Sequence, residues 1–282
     1  MPVKVYNRLL RRGAAAMVAS MLLFGGCTAA GAAGVATDAL QEGRTAENAV
    51  VLEESSAAKT YNGNIAFLWI VNQEHSLPGT YEPADLTEAG NGQRLSSEAA
   101  ESFLSMQRSM NIDGAGKLIL EQGYRSWKEQ EQTVTERAAY YKEQGYDSTK
   151  AETFAKYDCG VPGSDPYQTG LVACVAPEAS EWGETGEWLA QHASEFGFVL
   201  SMDENTAQLR YVGELHAAAV KRLGVDVEGY IEYLDTYGQY VFEFDGSTYR
   251  VELVRSLDGI RETFVSICGD NRGNYILLKQ EG

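Results

Sequence analysis

Helical and strand patterns succeed one another through the middle of the chain without strict alternation, and this order most constrains the fold. Residues 96–110 read as a helix. Ser96 or Ser97 can cap it, Glu98 and Glu101 stand in its first turn, and Ala99, Phe103, Met106 and Met110 share one face. A short strand follows over 117–122. A polar helix over 126–144 has Trp127, Val134, Ala138 and Tyr141 on its inner stripe. Thr149 and Glu152 read as a capping box for a helix reaching Tyr157. Then come a strand over 171–176, a helix over 186–196 capped by Thr185, strands over 198–202 and 209–212, and helices over 214–223 and 227–237. Such an order predicts an α+β fold, a mainly antiparallel sheet flanked by helices. Ahead of it, the apolar run 65–71 suits a buried strand or buried extended segment.

The pattern changes after Gly238. Residues 241–244 and 249–254 flank Asp245-Gly246, which predicts a hairpin with a type I′ turn. A second strand pair is expected over 264–268 and 275–278. Residues 238–282 are therefore read as a small all-β C-terminal appendage to a domain over 61–237.

The N-terminus reads as a lipoprotein signal peptide over 1–26. Lys4, Arg8, Arg11 and Arg12 precede an uncharged stretch, 13–26, that is too short to span a bilayer and ends at Cys27. Cys27 is the expected lipidation site, and two acyl chains would hold the protein stably. The alternative is a plain secretory signal cleaved near Ala29-Ala30. Residues 27–60 contain little to seed a core and read as a flexible tether. The expected location is extracytoplasmic, lipid-anchored to a bacterial membrane.

The 282 residues hold 23 Lys and Arg against 40 Asp and Glu. Loss of residues 1–26 removes four basic and no acidic residues, leaving 19 against 40, a balance of −21. Nucleic acid is thereby a poor partner, and so are anionic lipid surfaces. Beyond Cys27 the chain has Cys159, Cys174 and Cys268. Cys159 and Cys174 could pair across a loop, but three is odd, and small buried apolar side chains are the favoured reading.

Five segments carry a family resemblance, in order. They are Leu68-Trp69-Ile70-Val71-Asn72-Gln73-Glu74-His75-Ser76-Leu77-Pro78 with Tyr81, Gly123-Tyr124-Arg125-Ser126 with Gln130, Gln168-Thr169-Gly170-Leu171, Trp188-Leu189 through Phe198, and Leu209-Arg210-Tyr211-Val212-Gly213. Together they resemble the VanY-type D-alanyl-D-alanine carboxypeptidases, zinc peptidases that trim peptidoglycan stem peptides. The resemblance implies a D,D-carboxypeptidase/hedgehog-like zinc peptidase fold. It also implies substrate-cleft roles for Arg125, Ser126, Gln168 and Tyr81, with the Arg125 fork suited to a terminal carboxylate; the alternative for Arg125 is a structural salt bridge under the helix.

The departures bear on chemistry. Against the family pattern, the three zinc-ligand positions hold Tyr167, Cys174 and Gln208, and the general-base position holds Asn205. The serine two before the first ligand is replaced by Asp165. Catalytic zinc wants three ligands drawn from imidazole, carboxylate or thiolate, and a phenol or an amide is a weak donor. An asparagine cannot take the proton of an attacking water, and loss of a general base alone typically costs about 10²–10⁴-fold. The remaining histidines, His75, His192 and His216, form no ligand-spaced pair. The expectation is therefore no cofactor in a family that uses zinc, no catalytic residue, and a protein of the cell envelope that binds peptidoglycan stem peptides or an envelope partner. Two alternatives stand beside it. One is an active metallo-carboxypeptidase with an unorthodox site; the other is a non-binding envelope scaffold.

Overall fold

The computed structural model describes residues 65–179, 181–204, 206–260 and 262–281. The expected signal peptide, Cys27, the tether and Asn205 lie outside the described residues.

Helix α1, Ser97–Ile112, buries Ala99, Ala100, Phe103, Met106 and Met110, the face its spacing predicts. It follows a two-stranded hairpin, β1 (Leu86–Gly90) and β2 (Gln93–Ser96). The central sheet then forms from β3 (Leu118–Gln122), β4 (Val172–Pro177), β5 (Phe198–Met202) and β6 (Ala207–Tyr211), in the order β3-β4-β6-β5 with every pair antiparallel. Between β3 and β4 the chain makes a helical hairpin, α2 (Trp127–Glu143) and α3 (Ser148–Cys159). Helix α4, Gly183–His192, runs on into a 3-10 turn, Ala193–Phe196, and α5 (Glu214–Leu223) and α6 (Val227–Tyr237) follow β6. This is the mixed α+β fold with antiparallel sheets that the sequence predicts.

The all-β tail is present. Strands β7 (Gln239–Phe244), β8 (Ser247–Val254), β9 (Ser266–Gly269) and β10 (Tyr275–Gln280) form a second four-stranded antiparallel sheet in the order β7-β8-β10-β9. The β7–β8 turn has positive φ at both Asp245 (47°) and Gly246 (72°), as a type I′ turn requires. This sheet shares a core with the rest of the molecule. Val251, Cys268, Ile276 and Leu278 belong to one continuous cluster with Phe103, Leu209, Ala219 and Tyr230. His216 on α5 sits in that seam, buried, with Nδ1 3.0 Å from the Tyr230 hydroxyl and Nε2 3.2 Å from Ser266 Oγ. Burial pushes its imidazole down to about 4, so the ring is neutral in the fold at pH 7.

Three local expectations are corrected. The apolar run after Asn64 is buried, yet it opens as a 3-10 turn, Ile65–Leu68, and never joins a strand. Its backbone is satisfied by a side chain instead. Ile70 N–H donates to Asn271 Oδ1 (3.1 Å), and Asn271 Nδ2 donates to Ile70 C=O (2.8 Å). Helix α3 is capped by Asp147, whose carboxylate accepts from Lys150 N–H at 3.0 Å, so Thr149 falls inside the helix. Thr185 likewise lies within α4; its hydroxyl donates to Ala115 C=O at 2.7 Å and ties the helix to the loop before β3.

Candidate functional site

The central sheet brings together residues that are 86 positions apart in sequence. Register pairs Gln122 of β3 with Cys174 of β4, Cys174 with Gln208 of β6, and Gln208 with Ser201 of β5. Directly opposed residues in an antiparallel sheet put their side chains on the same face. Along β6, Ala207, Leu209 and Tyr211 are buried while Gln208 and Arg210 are half-exposed, so this row crosses the open face. Cys174 is the half-exposed residue among buried neighbours of β4 in the same way.

Tyr167 approaches the row from the 3-10 turn Pro166–Thr169 just ahead of β4. The carboxylate of Asp165 caps that turn by accepting from Tyr167 N–H at 2.8 Å. The turn closes on Gly170 at φ 72°, where a Cβ would lie 3.1 Å from Leu86 and 3.3 Å from the Ser96 amide nitrogen. Both the positive φ and the crowding explain why glycine stands there. Gln208 Nε2 donates to the Tyr167 hydroxyl at 3.4 Å. The fold therefore brings together Tyr167, Cys174 and Gln208, the three residues expected at ligand positions.

Arg125 packs against the same spot. Its guanidinium carbon is 5.3 Å from the centre of the Tyr167 ring, and its Nη1 donates to Asp165 Oδ2 at 2.8 Å and to Gln130 Oε1 at 2.9 Å. Its Nη2 donates to Gln122 Oε1 at 3.1 Å. The two charged side chains are largely buried, 13% and 9% exposed, so this is a shielded ion pair rather than a surface one. Burial pushes the Asp165 carboxyl up, against the pull of Arg125 and the Tyr167 amide. Gln130, fully buried, carries the network onward by donating to the carbonyls of Cys159 and Gly160 at the end of α3. The helical hairpin is thus anchored to the site through one glutamine.

The other residues singled out from sequence have structural partners. Ser126 is the N-cap of α2 in a reciprocal capping box with Glu129. Gln168 is buried, and its Oε1 accepts from Gly163 N–H at 2.7 Å. Tyr81 lies tilted against Trp69, with ring centres 5.7 Å apart, and its hydroxyl donates to Thr169 C=O at 3.5 Å. Of these three, Gln168 alone is buried. Cys159, Cys174 and Cys268 are in no disulfide among the described residues. Sequence reasoning noted Asp165 as a departure but did not find it as the partner of Arg125. It also did not find Gln122. The spacing of 40 residues between Arg125 and Asp165 gives no local signal.

A family model described as D-alanyl-D-alanine carboxypeptidase, VanY, matches residues 92–217, which run from β2 through the site and into α5. That match, over just under half of the chain, supports a VanY-type D-alanyl-D-alanine carboxypeptidase family member. The chain is 26% identical over 181 residues to the D-alanyl-D-alanine carboxypeptidase of Enterococcus faecalis (strain ATCC 700802 / V583), a match covering 60% of this chain and 66% of that protein. The chain thus spans just under two thirds of that relative's length. Among solved structures, a mutant of the vancomycin resistance D,D-pentapeptidase VanY, from a VanB-type resistance cassette and in complex with Zn(II), is 27% identical. That match has a TM-score of 0.50 and covers 58% of this chain and 98% of that one. VanYB in complex with D-Alanine-D-Alanine is 26% identical with the same TM-score, covering 58% and 97%.

The zinc-bound relative corrects the expectation of no cofactor: the VanY family is zinc-dependent. The residues that the sequence resemblance sets at the ligand positions, Tyr167, Cys174 and Gln208, nevertheless fit zinc poorly. They offer a phenol that accepts a hydrogen bond from Gln208, a thiol and an amide. Among the described residues, no group of three or more His, Cys, Asp or Glu stands close enough together to hold a metal ion. His75 lies against Asn72, His192 against Glu195, and His216 in the seam below α6.

Proposed function

We propose that this chain is a lipid-anchored, VanY-type peptide-binding protein of the extracytoplasmic side of a bacterial membrane, with hydrolysis lost. Cys27 carries the lipid, residues 27–60 tether the domain over 61–237, and residues 238–282 extend it. The observation that carries the reading is the meeting of Tyr167, from the turn before β4, with Gln208 and its sheet neighbour Cys174, beside Arg125. The scaffold that would aim three ligands at one point is intact, while the groups it aims are a phenol, a thiol and an amide. The general-base position, Asn205, holds a side chain with no basic group. Tyr81 and Arg125, both partly exposed, border the face that a stem peptide would reach. The D-Alanine-D-Alanine bound by VanYB supports a ligand of that class.

The test is release of D-alanine from a muramyl pentapeptide by the purified chain. We expect none above background, with or without added zinc. EDTA-sensitive release by the native sequence would overturn the reading. A variant carrying Tyr167→His, Cys174→Asp, Asn205→Glu and Gln208→His should bind zinc more tightly and gain measurable release. Anchoring is tested separately, by metabolic labelling with a palmitate analogue. The label should be incorporated by the native chain and lost in Cys27→Ala.

A further inference from the structure

The loop that joins β9 to β10, residues 270–274, is built around a carboxylate shielded from solvent. Asp270 is fully buried. Its Oδ1 accepts from the backbone N–H groups of Arg272 (2.8 Å) and Asn274 (2.9 Å). Its Oδ2 accepts from Asn274 Nδ2 (2.6 Å) and Arg272 Nε (3.3 Å). The Asp270 N–H donates to Asn274 C=O at 3.2 Å and closes the loop. So held, Asn271 has φ 50°, a left-handed conformation that asparagine tolerates better than most residues. The loop is a firm mount for one amide side chain.

That side chain engages both backbone groups of Ile70, accepting from its N–H at 3.1 Å and donating to its C=O at 2.8 Å. The preceding residue, Trp69, reaches the site by two routes. Its carbonyl accepts from Arg210 Nη2. Arg210 stands two residues from Gln208 on β6, so the two side chains leave the same face of the sheet, and both are half-exposed. The Trp69 ring lies against Tyr81, whose hydroxyl donates to Thr169 C=O in the turn that carries Tyr167. The appendage meets the indole as well: a Cβ on Gly269, the last residue of β9, would lie 3.8 Å from Trp69 Nε1. Side chains that line a binding site keep their geometry only where a supporting layer of hydrogen bonds and packing locks them.

From this chain of contacts we infer that Asn271 is a positioning residue for the cleft. Through it the C-terminal appendage fixes the backbone at Trp69 and Ile70, and with it the placing of Arg210 and Tyr81 at the open face. The inference rests on the peptide-binding reading above for its effect on the ligand. It adds to that reading by giving residues 238–282 a part in binding.

The experiment uses the full chain, because the appendage shares its core with the rest of the molecule. Affinity for a synthetic acyl-peptide ending in D-Ala-D-Ala is measured by titration calorimetry on the native chain, Asn271→Gly, Asn271→Asp and Thr185→Ala. Glycine keeps the positive φ and removes both bonds to Ile70. Aspartate keeps an acceptor for the Ile70 N–H and removes the donor to its C=O. Thr185→Ala breaks the tie between α4 and Ala115 C=O and controls for lost stability alone. Asn271→Gly should weaken binding about tenfold and Asn271→Asp about threefold, with Thr185→Ala within about twofold of native. Without ligand, hydrogen exchange of the 167–171 amides should be at least about threefold faster in Asn271→Gly, with α2 and α3 unchanged. Native affinity in the folded Asn271 variants overturns the inference, and so does an equal loss in Thr185→Ala. Faster exchange confined to 65–71 and 270–274 also overturns it. If the native chain binds no peptide at millimolar concentration, the peptide-binding reading fails, and the exchange measurement alone decides whether Asn271 sets the cleft.

Discussion

Replacing Arg125 by alanine strips a buried carboxylate of its only ion-pair partner among the described residues, and the cost follows from the geometry. At 2.8 Å and an effective dielectric near 20, the pair attracts by roughly 6 kcal/mol before desolvation is counted. Breaking a buried pair by removing one member typically costs about 3–5 kcal/mol, because the other charge stays behind. Gln122 and Gln130 also lose a donor, and the Tyr167 ring loses a cation at 5.3 Å. We expect Arg125→Ala to lower unfolding stability by about 3–5 kcal/mol at pH 7, read from urea midpoints at unchanged slope. The sign of its pH dependence is also determined. Burial already pushes the Asp165 carboxyl up, and removal of Arg125 pushes it further. A carboxyl whose folded value exceeds its unfolded one takes up protons on folding, so the deficit of Arg125→Ala should shrink as pH falls toward 5. The double variant Arg125→Ala/Asp165→Ala should cost less than the sum of the two single variants, with a coupling of about 2 kcal/mol or more. A loss under about 1 kcal/mol, or strictly additive costs, would refute the view that this pair is a buried internal bridge.

Three further outcomes follow from other parts of the fold. His216 is neutral in the seam between α5, α6 and β9, with its imidazole pushed down to about 4. Its contribution to stability should be present above pH 6.5 and fall away by about 3 kcal/mol as pH drops to 4. A comparison of thermal unfolding with His216→Gln across that window isolates the slope. Asn271→Ala orphans the buried N–H and C=O of Ile70, for a loss of about 2–4 kcal/mol in denaturant unfolding and faster exchange of the Ile70 amide. Iodoacetamide should label half-exposed Cys174 in the native state well before Cys268, which is buried and whose thiol is pushed up to about 11. A bound peptide should slow labelling at Cys174 alone, as peptide mapping by mass spectrometry would show.

Much of the local structure was legible. The Asp245-Gly246 pair announces a hairpin because only residues that tolerate positive φ make a type I′ turn. The stripe Ala99-Phe103-Met106-Met110 announces α1 because those residues share one helical face. The cap of α3 was misread because Asp147 and Thr149 both lie within reach of a first turn, and the carboxylate closes it. The segment after Asn64 was expected to be a strand or an extended run because its burial is written in its residues. Its hydrogen-bond partner is not, since Asn271 is 201 positions away.

The sequence by itself determined the α+β class, the all-β tail and the family resemblance. These are properties of local periodicity, turn chemistry and residue identity, each readable within a short window. Only the tertiary structure decided what those residues meet. Sheet register set Gln122, Cys174 and Gln208 side by side, and the turn before β4 swung Asp165 onto Arg125. An arginine in a sequence is a charge of unspecified use. Its use depends on which carboxylate the fold brings within 3 Å, and that is set by long-range packing rather than by any neighbouring residue.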